Sequence, residues 1–514
     1  MRMIVLDTPL LFSTILVPFI FSLIMPFLDK RVSVKTIAII STLTLLYSLA
    51  VITSLILRYG LNEGIVDPIH FRHALIGSLT MLLDSLSGPI AFSIALVTSF
   101  VAIFSLPYMK HRFEEMEKEG THPPSWGIYY MLYVMFSAAM LGTTLSTNLI
   151  QFYIFLELTL IPSFLLIAFY GYGDRVRIAI MYLIWTHVGA LLFLLGVVAI
   201  GFTTKVFDIL NVGTLKFNMG IGEGLKDLTI PVAIALMIGL FVKMAIFGVH
   251  IWLPYAHAEA PTPVSALLSP NLIGIGGYAL IRIVYILFPN TFSKASPYLI
   301  ALALITIIYG GLMALAQDDF KRLLAYSSIS QMGYILLGIA SLTFFGIAGA
   351  ILHYVTHAVG KAVLFMVAGT IIVQAHGLRS ISKMGGFATA MPITASLALI
   401  GFMHITGLPP TLGLWSEVLI IWGAIGKIIT SSLLTLLIFI AGLTIGIGIS
   451  TAYAFLTMKR IFFGHVSEGH VKVTEGKWEI LIPIIIIGVV GLILFFYPSL
   501  FIDPFRNFYE SLRA

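Results

Sequence analysis

Long apolar stretches separated by short polar segments run along the whole chain. Most of them reach the roughly 20 residues that a helix needs to cross about 30 Å of hydrocarbon. They are continuous rather than alternating, so they predict membrane-spanning helices and not the strands of a barrel. We number the predicted spans 1 to 14 in chain order and place them at residues 8–28, 34–57, 79–106, 127–147, 149–169, 177–203, 229–252, 264–288, 296–316, 323–342, 343–373, 391–424, 430–459 and 479–499.

Two of these spans are interrupted by proline. Span 7 runs into Pro254 and then Pro261, and span 12 contains Pro409 and Pro410. Proline removes a helical hydrogen bond and collides with the preceding turn, so these residues are predicted to be hinges of broken helices. Within a membrane, the backbone groups freed at such a break must face protein or a water-filled cavity, because lipid offers them no hydrogen-bond partner.

The two interrupted spans lie five spans apart. Broken helices at matching places in two halves are typical of inverted repeats with an ion site at each break. The sequence therefore predicts an all-α integral membrane protein with one domain over residues 1–514, a first five-helix repeat over 127–288 and a second over 296–459. Two ordinary proline kinks are the alternative interpretation.

The composition excludes several classes of protein. Of the 514 residues, 59% are hydrophobic and 10% are charged, whereas a soluble globular protein has about 25% charged residues. The chain has no cysteine, which excludes Cys-ligated iron–sulfur clusters and thiolate metal sites in this chain. Although the net charge is +6, no basic run is long enough to bind nucleic acid.

Lysine and arginine are more frequent in the loops that follow odd-numbered spans than in the other loops. Such residues favour the cytoplasmic side of a membrane. The bias predicts a multi-pass protein of the cytoplasmic membrane with both termini outside.

Ionisable residues inside the predicted spans are the candidates for function. Glu157 lies in span 5, Lys243 in span 7 and Glu417 in span 12, while His357 and Lys361 lie four residues apart on one face of span 11. A charge at the middle of a span costs about 2.5–3.5 kcal/mol, so it persists where a partner or function compensates. We interpret these residues as a row of protonatable groups linked by water. Structural ion pairs or charges that extend towards a helix end are the alternative.

Other polar residues give weaker signals. His250 follows Lys243 by seven residues and is predicted to share its side of span 7, as a further member of the row. His353 and His404 are additional candidates, although a lone buried histidine is often only a hydrogen-bonded core residue. His187 is interpreted as structural. None of the histidine and acidic residues of this chain has the spacing of a metal site, so the sequence predicts no bound metal.

Several motifs occur in order along nearly the whole chain, and together they resemble one family. They are residues 155–157 with Pro162, then 243–262, 314–328, 332–334, His357, 384–386 and 407–409. In these residues the chain resembles the antiporter-like subunits of respiratory complex I, of chain M type. It is similar also to the D subunit of multi-subunit sodium/proton antiporters and to the large subunit of archaeal membrane-bound hydrogenases and sulfur reductases.

The resemblance implies roles for four of the candidates. Glu157 corresponds to the glutamate of span 5, which pairs with the lysine of span 7, here Lys243. His357 corresponds to the histidine of span 11, and Glu417 to the acid that ends the channel in span 12. The family transmits redox energy from a peripheral arm to ion translocation, so iron–sulfur or metal centres are expected on partner subunits.

Two positions depart from the family pattern in the middle of the row. The chain has Gly274 where the family usually has a lysine in span 8, and Gln331 where it usually has a histidine in span 10. Glutamine can hydrogen-bond but cannot titrate. The middle of the path must then use water, Lys361 or His353, or else the subunit conducts weakly or moves sodium.

The sequence therefore predicts a proton- and/or sodium-translocating subunit of a redox-driven complex related to complex I, most closely of the archaeal hydrogenase or sulfur-reductase type. The chain itself would carry no redox chemistry and would contact other membrane subunits and a peripheral redox arm. A subunit of a stand-alone sodium/proton antiporter and a structural scaffold subunit are the alternatives.

Overall fold

The fold is a bundle of membrane-spanning helices. The computed structural model describes residues 3–68, 71–73, 76–204, 206–209, 228–464 and 473–513. In this part of the chain, twelve helices are long and apolar enough to cross a membrane, and spans 7 and 12 are each divided into two shorter helices, 7a and 7b, and 12a and 12b. The prediction of an all-α membrane protein with about fourteen spans is thereby confirmed. In chain order the helices are Leu10–Leu28, Val34–Tyr59, Ser87–Lys118, Trp126–Leu145, Leu149–Tyr170, Arg175–Thr204, Thr229–Met244 (7a), Trp252–Glu259 (7b), Thr262–Tyr285, Pro289–Leu315, Phe320–Ala340, Phe344–Gln374, Pro392–Ile405 (12a), Leu412–Ile428 (12b), Leu433–Phe463 and Trp478–Phe495.

A few short elements lie outside the spans. A helix that the sequence did not predict follows span 14, at Ser499–Arg513. Five short strands accompany the first three spans: β1 (Met3–Val5) pairs in parallel with β2 (Gly64–Val66), β2 pairs antiparallel with β5 (Leu82–Leu83), and β3 (Phe71–His73) pairs antiparallel with β4 (Gly77–Leu79).

Side-chain caps begin many of the spans. The first backbone N–H groups of a helix have no partner within it, and a Ser, Thr, Asn or Asp oxygen can accept from them. The capping residues are Ser33, Ser125, Asn148, Asp319, Thr343 and Ser432.

Span 7 is broken upstream of the position that its prolines predict. Half-helix 7a ends at Met244, because Ala245 adopts a left-handed conformation with φ 54°. Half-helix 7b begins at Trp252, whose indole N–H donates to the backbone oxygen of Val242 at 2.9 Å. A carbonyl at the end of 7a is thus satisfied by a side chain of 7b.

The prediction that Pro254 and Pro261 are the hinges of span 7 is therefore corrected. Pro254 is the third residue of half-helix 7b, where its missing N–H would have no partner in the helix in any case. Pro261 lies between 7b and span 8 and directly precedes Thr262. Backbone conformation after Met244, and not proline, ends the first half of this span.

Span 12 is broken at Pro409 and Pro410, as the sequence predicts. Half-helix 12a ends at Ile405 and 12b begins at Leu412. The hydroxyl of Thr411 has two backbone oxygens within reach of its one hydrogen, those of Leu408 at 2.6 Å and Met403 at 3.1 Å, so a carbonyl near the break again finds a protein donor. The division into inverted repeats over 127–288 and 296–459 stays a prediction.

Span 11 lies at the centre of the bundle, packed against spans 3, 8, 10, 12 and 14. Its membrane-crossing window is buried along its full length, as is that of span 8, whereas most of the window of span 13 is exposed. Span 8 also contains two π-helical segments, Leu268–Leu272 and Leu280–Tyr285. The polar side chains of span 11 therefore face protein and not lipid.

A buried ion pair connects the start of span 3 to the end of span 8. Arg282 donates to Asp84 at 2.5 Å, and both side chains are almost wholly buried. The same Asp84 oxygen accepts the backbone N–H groups of Leu86 and Ser87 at 3.0 and 2.8 Å. Several donors therefore compensate this buried carboxylate, as a charge in such surroundings requires.

Candidate ion-translocation site

The glutamate of span 5 contacts a histidine and not the expected lysine. Glu157 lies 2.9 Å from Nδ1 of His187, and both side chains are partly exposed on the surface of the bundle. Both Glu157 and Lys243 are described by the structure, and no ion pair within 4.0 Å joins them. Lys243 is buried and donates to the hydroxyl of Thr159 at 3.3 Å. The pair implied by the resemblance is therefore not in direct contact.

His187 was interpreted as structural from the sequence, yet it is the partner of Glu157. The two residues are 30 positions apart and lie on neighbouring spans. No spacing in the sequence indicates such a contact, because it depends on how span 6 packs against span 5.

Lys243 lies in the last turn of half-helix 7a. The backbone carbonyl groups at a helix C-terminus and the helix dipole both favour a cation there. The break after Met244 thus provides a place for an ammonium group inside the bundle.

His250 does not share a helical face with Lys243, because helix 7a ends between them. It lies in the broken segment, where its Nε2 is 3.1 Å from the hydroxyl of Tyr309 in span 9. Its Nδ1 accepts the backbone N–H of Gly248 at 3.2 Å. The predicted side of His250 is therefore corrected, and its contacts lead towards span 9.

The buried centre of the row is formed by spans 7, 10 and 11. Lys361 donates to the backbone oxygen of Leu324 at 3.0 Å and to the hydroxyl of Ser327. His357, one turn before Lys361, and His257 in half-helix 7b are both buried. Among the described residues, neither ring nitrogen of His257 has a hydrogen-bond partner, and the His357 ring has only the backbone of Pro270 close to it. Because buried imidazole groups need hydrogen-bond partners, these nitrogens are where water would join the row.

Lys321, in the first turn of span 10, adds a further buried cation to this centre. Lys321 falls between predicted spans 9 and 10, in a loop that follows an odd-numbered span, but its side chain is fully buried. It donates to the backbone oxygens of Ala258 and Ala260, at the end of half-helix 7b. Sequence reasoning missed this burial, because hydropathy alone places the residue in a loop.

The position of the missing lysine in span 8 is occupied by a side chain of span 11. A Cβ atom on Gly274 would lie 2.3 Å from two ring carbons of Tyr354. The Tyr354 hydroxyl donates to the backbone oxygen of Asn271 at 2.9 Å, which holds the ring in place. The ring of Tyr354 therefore occupies the space that a side chain at position 274 would need.

We expect Gly274→Ala to lower the thermal stability of the protein, since extra atoms in a packed core cost about 1–3 kcal/mol. Gly426→Ala is a matched control, because a Cβ atom there would meet nothing within 4 Å. The measurement is the unfolding temperature of the purified protein in detergent. Equal unfolding temperatures for both variants would contradict the close packing of Tyr354.

Gln331 connects three spans through hydrogen bonds. Its amide oxygen lies 2.9 Å from Nε2 of His353, and its amide nitrogen donates to the hydroxyl of Tyr453 at 3.2 Å. On its other side, Nδ1 of His353 lies 3.0 Å from the hydroxyl of Ser416. Spans 10, 11, 12 and 13 thus meet in one buried polar chain at the position where the sequence departs from the family.

Glu417 lies beside the break in span 12. It is almost fully buried, and a Cβ atom on Gly407 would lie 2.5 Å from Oε2 of Glu417, so the carboxyl group fits against the broken segment. Its Oε1 has no hydrogen-bond partner among the residues that the structure describes. His404, also near the break, lies 3.1 Å from the hydroxyl of Thr356 in span 11.

The structure thus brings some predicted residues together and separates others. Lys361, His357 and His353 follow one another at four-residue intervals along the buried span 11. Lys243 and Glu417 each lie next to a helix break. In sequence order, Lys243 precedes these three residues and Glu417 follows them. Ionisable and hydroxyl groups in this arrangement can hold, donate and accept protons within the bundle.

Comparisons with known proteins agree with this architecture. The family model described as NADH:quinone oxidoreductase/Mrp antiporter, TM, matches residues 146–447. NADH-quinone oxidoreductase subunit M of Rickettsia prowazekii is 33% identical over 389 residues, which cover 75% of this chain and 76% of that protein. F420H2 dehydrogenase subunit M of Methanosarcina mazei is 32% identical over 444 residues, which cover 84% and 83% of the two chains.

Three solved structures contain chains of the same fold. A chain of respiratory complex I from Thermus thermophilus has a TM-score of 0.82 at 24% identity and covers 98% of this chain and 100% of that chain. A chain of the Mrp complex from Dietzia sp. has a TM-score of 0.82 at 20% identity, with 98% and 97% covered. A chain of the archaeal membrane-bound sulfane sulfur reductase has a TM-score of 0.78 at 24% identity, with 94% and 75% covered. The matched model and the identity to the subunit M proteins show that this chain belongs to the NADH:quinone oxidoreductase/Mrp antiporter transmembrane family.

Proposed function

We propose that the chain translocates protons and/or sodium ions as a subunit of a redox-driven membrane complex related to complex I. The observation that carries this proposal is the placement of buried ionisable groups at both helix breaks. Lys243 ends half-helix 7a, Glu417 lies against the break of span 12, and the polar residues of span 11 lie in the buried core. Groups placed so deep in an apolar bundle are costly, and ion translocation gives a reason for their presence.

The mechanism starts from the charges around span 5. The carboxyl group of Glu157 lies next to His187, and Lys243 donates to Thr159, two residues after Glu157 on the same span. A change in the charge near Glu157 changes the stability of the protonated, positively charged form of Lys243. A proton released from Lys243 would then pass along the span 11 row towards Glu417, with Glu157 acting as the gate.

The relatives suggest how the complex is built. Subunit M proteins in the comparisons belong to an NADH-quinone oxidoreductase and an F420H2 dehydrogenase. Since this chain has no cysteine, iron–sulfur or other metal centres would reside on partner subunits in a peripheral arm. We propose an archaeal hydrogenase or sulfur-reductase type of complex in the cytoplasmic membrane, with both termini of this chain outside.

A stand-alone sodium/proton antiporter is the second candidate. The likeness to the Mrp complex chain favours it, since its TM-score of 0.82 equals that of the complex I chain. The third candidate, a scaffold subunit, is favoured by the closed space at Gly274, where Tyr354 fills the position of a titratable group.

Purification of the tagged chain from its native membranes tests these candidates. We expect co-purifying subunits with iron–sulfur centres and electron-donor-dependent ion uptake by inside-out vesicles. If only small membrane proteins co-purify and an imposed sodium or proton gradient drives the flux, the result would favour the stand-alone antiporter over the first candidate. If the complex assembles completely and its ion uptake is unaffected by substitution of the ionisable residues of the row, the chain would be a scaffold subunit.

A further inference from the structure

The hydrogen bonds around His353 differ on its two ring nitrogens. Nε2 lies 2.9 Å from the amide oxygen of Gln331, and Nδ1 lies 3.0 Å from the hydroxyl oxygen of Ser416. All three side chains are fully buried and come from spans 11, 10 and 12. These two contacts therefore decide where a proton can reach the imidazole ring.

Gln331 holds the Nε2 side as an acceptor. In the amide orientation of this structure, its nitrogen donates to the hydroxyl of Tyr453 at 3.2 Å and its oxygen faces His353. A carbonyl oxygen accepts but does not donate, so Nε2 of His353 carries the hydrogen in this network. Because an amide does not titrate, Gln331 takes up no proton from this nitrogen.

Ser416 is placed differently, because its single hydroxyl hydrogen has two acceptors within reach. Its oxygen lies 3.0 Å from Nδ1 of His353 and 2.9 Å from the backbone oxygen of Gly413, in the first turn of half-helix 12b. When His353 is neutral, the hydroxyl donates to Nδ1. When Nδ1 carries a proton, its N–H donates to the hydroxyl oxygen, and the hydroxyl hydrogen turns to the Gly413 oxygen.

All polar groups of this cluster thus have partners in both charge states of His353. By contrast, His257, another buried histidine of the centre, has no hydrogen-bond partner on either ring nitrogen among the described residues. A serine that donates to a backbone oxygen three residues earlier is common in helices. The second partner, a titratable ring in another span, is what distinguishes Ser416.

We propose that Ser416 is a positioning residue that lets His353 gain and lose a proton at Nδ1, which makes His353 a proton store within the span 11 row. This inference rests on the ion-translocating function proposed above. The Nδ1–H bond forms with a proton that the Lys243 ammonium releases along the span 11 row, as proposed above, and it breaks when that proton passes on to the carboxylate of Glu417. The Nε2–H bond towards Gln331 is kept throughout, so no proton crosses to span 10 by this route.

Ion uptake by three variants of the assembled complex tests the role of Ser416. We expect Ser416→Ala to lower driven uptake into inside-out vesicles by about tenfold or more, since a positioned proton-transfer group contributes about 10²–10⁴-fold. Ser416→Thr keeps the hydroxyl and should restore the wild-type rate. Ser137→Ala is the matched control, because Ser137 is equally buried and its hydroxyl donates to the backbone oxygen of Tyr133.

Solid-state ¹⁵N NMR of histidine-labelled protein gives a second readout, the positions of the hydrogen and of the hydrogen bonds on His353. The signal of His353 is assigned by its loss in His353→Gln. We expect neutral His353 to carry its hydrogen on Nε2 and to accept a hydrogen bond at Nδ1, and we expect this Nδ1 bond to be lost in Ser416→Ala.

The outcomes separate this inference from the proposed function. Wild-type uptake by Ser416→Ala, or a neutral His353 with its hydrogen on Nδ1, would overturn the role of Ser416. If the uptake of the complex does not depend on this chain at all, the proposed function fails, and the NMR tautomer still decides the inference. If Ser416→Ala does not assemble, the tautomer in the wild type and the rate of Ser416→Thr decide it.

Discussion

Replacement of Lys243 by alanine is expected to abolish redox-driven ion uptake while electron transfer to the acceptor continues. Lys243 is the buried cation at the end of half-helix 7a, and its ammonium group donates to the hydroxyl of Thr159. Loss of a positioned proton-transfer group lowers rates by about 10²–10⁴-fold. The measurement is ion uptake by inside-out vesicles, with cofactor reduction recorded in the same sample.

Lys243→Arg distinguishes proton exchange from a fixed charge. Arginine keeps the positive charge but does not release its proton in proteins, so we expect this variant to be inactive in uptake as well. Lys294→Ala is the surface control, because Lys294 is exposed near the start of span 9. Full uptake by Lys243→Arg would show that only the charge of Lys243 is needed, and full uptake by Lys243→Ala would remove it from the path.

Glu417→Gln is the second substitution with a large expected effect. The amide has almost the same shape as the carboxyl group and fits the same space beside Gly407, so the protein should assemble normally. Glutamine cannot take up or release a proton. We therefore expect ion uptake to fall by about a hundredfold, within the usual range for a lost proton-transfer group, with no change in unfolding temperature.

Glu417→Asp provides the matched comparison, since it keeps an ionisable group on a shorter side chain. Partial uptake by Glu417→Asp together with loss in Glu417→Gln would assign the effect to titration. Uptake by Glu417→Gln at the wild-type rate would contradict a path that ends at this residue and would favour a scaffold subunit.

Much of the fold could be predicted from the sequence. Hydropathy alone placed all fourteen spans, because a helix in lipid must be continuously apolar over the thickness of the membrane. The break in span 12 was also predictable, since Pro409 and Pro410 cannot continue a helix. The break in span 7 was predicted at the wrong position. It lies at Ala245, whose left-handed conformation cannot be recognised from the sequence, whereas a proline such as Pro254 can.

The candidate site was predictable only in part. The intramembrane positions of Glu157, Lys243 and Glu417 stand out from their apolar surroundings in the sequence. The contact between Glu157 and His187 could not be found in this way. The packing of the Tyr354 ring against Gly274 could not be predicted from the sequence either, because the two residues lie on different spans.

The sequence by itself determined the membrane class, the number of spans, the ionisable residues and the family, because hydropathy and motifs are local properties of the chain. Only the tertiary structure decided which groups meet. Lys243 bonds to Thr159, and His353 bonds to both Gln331 and Ser416. Each of these contacts joins different spans, so it is set by how the helices pack and not by spacing along the chain.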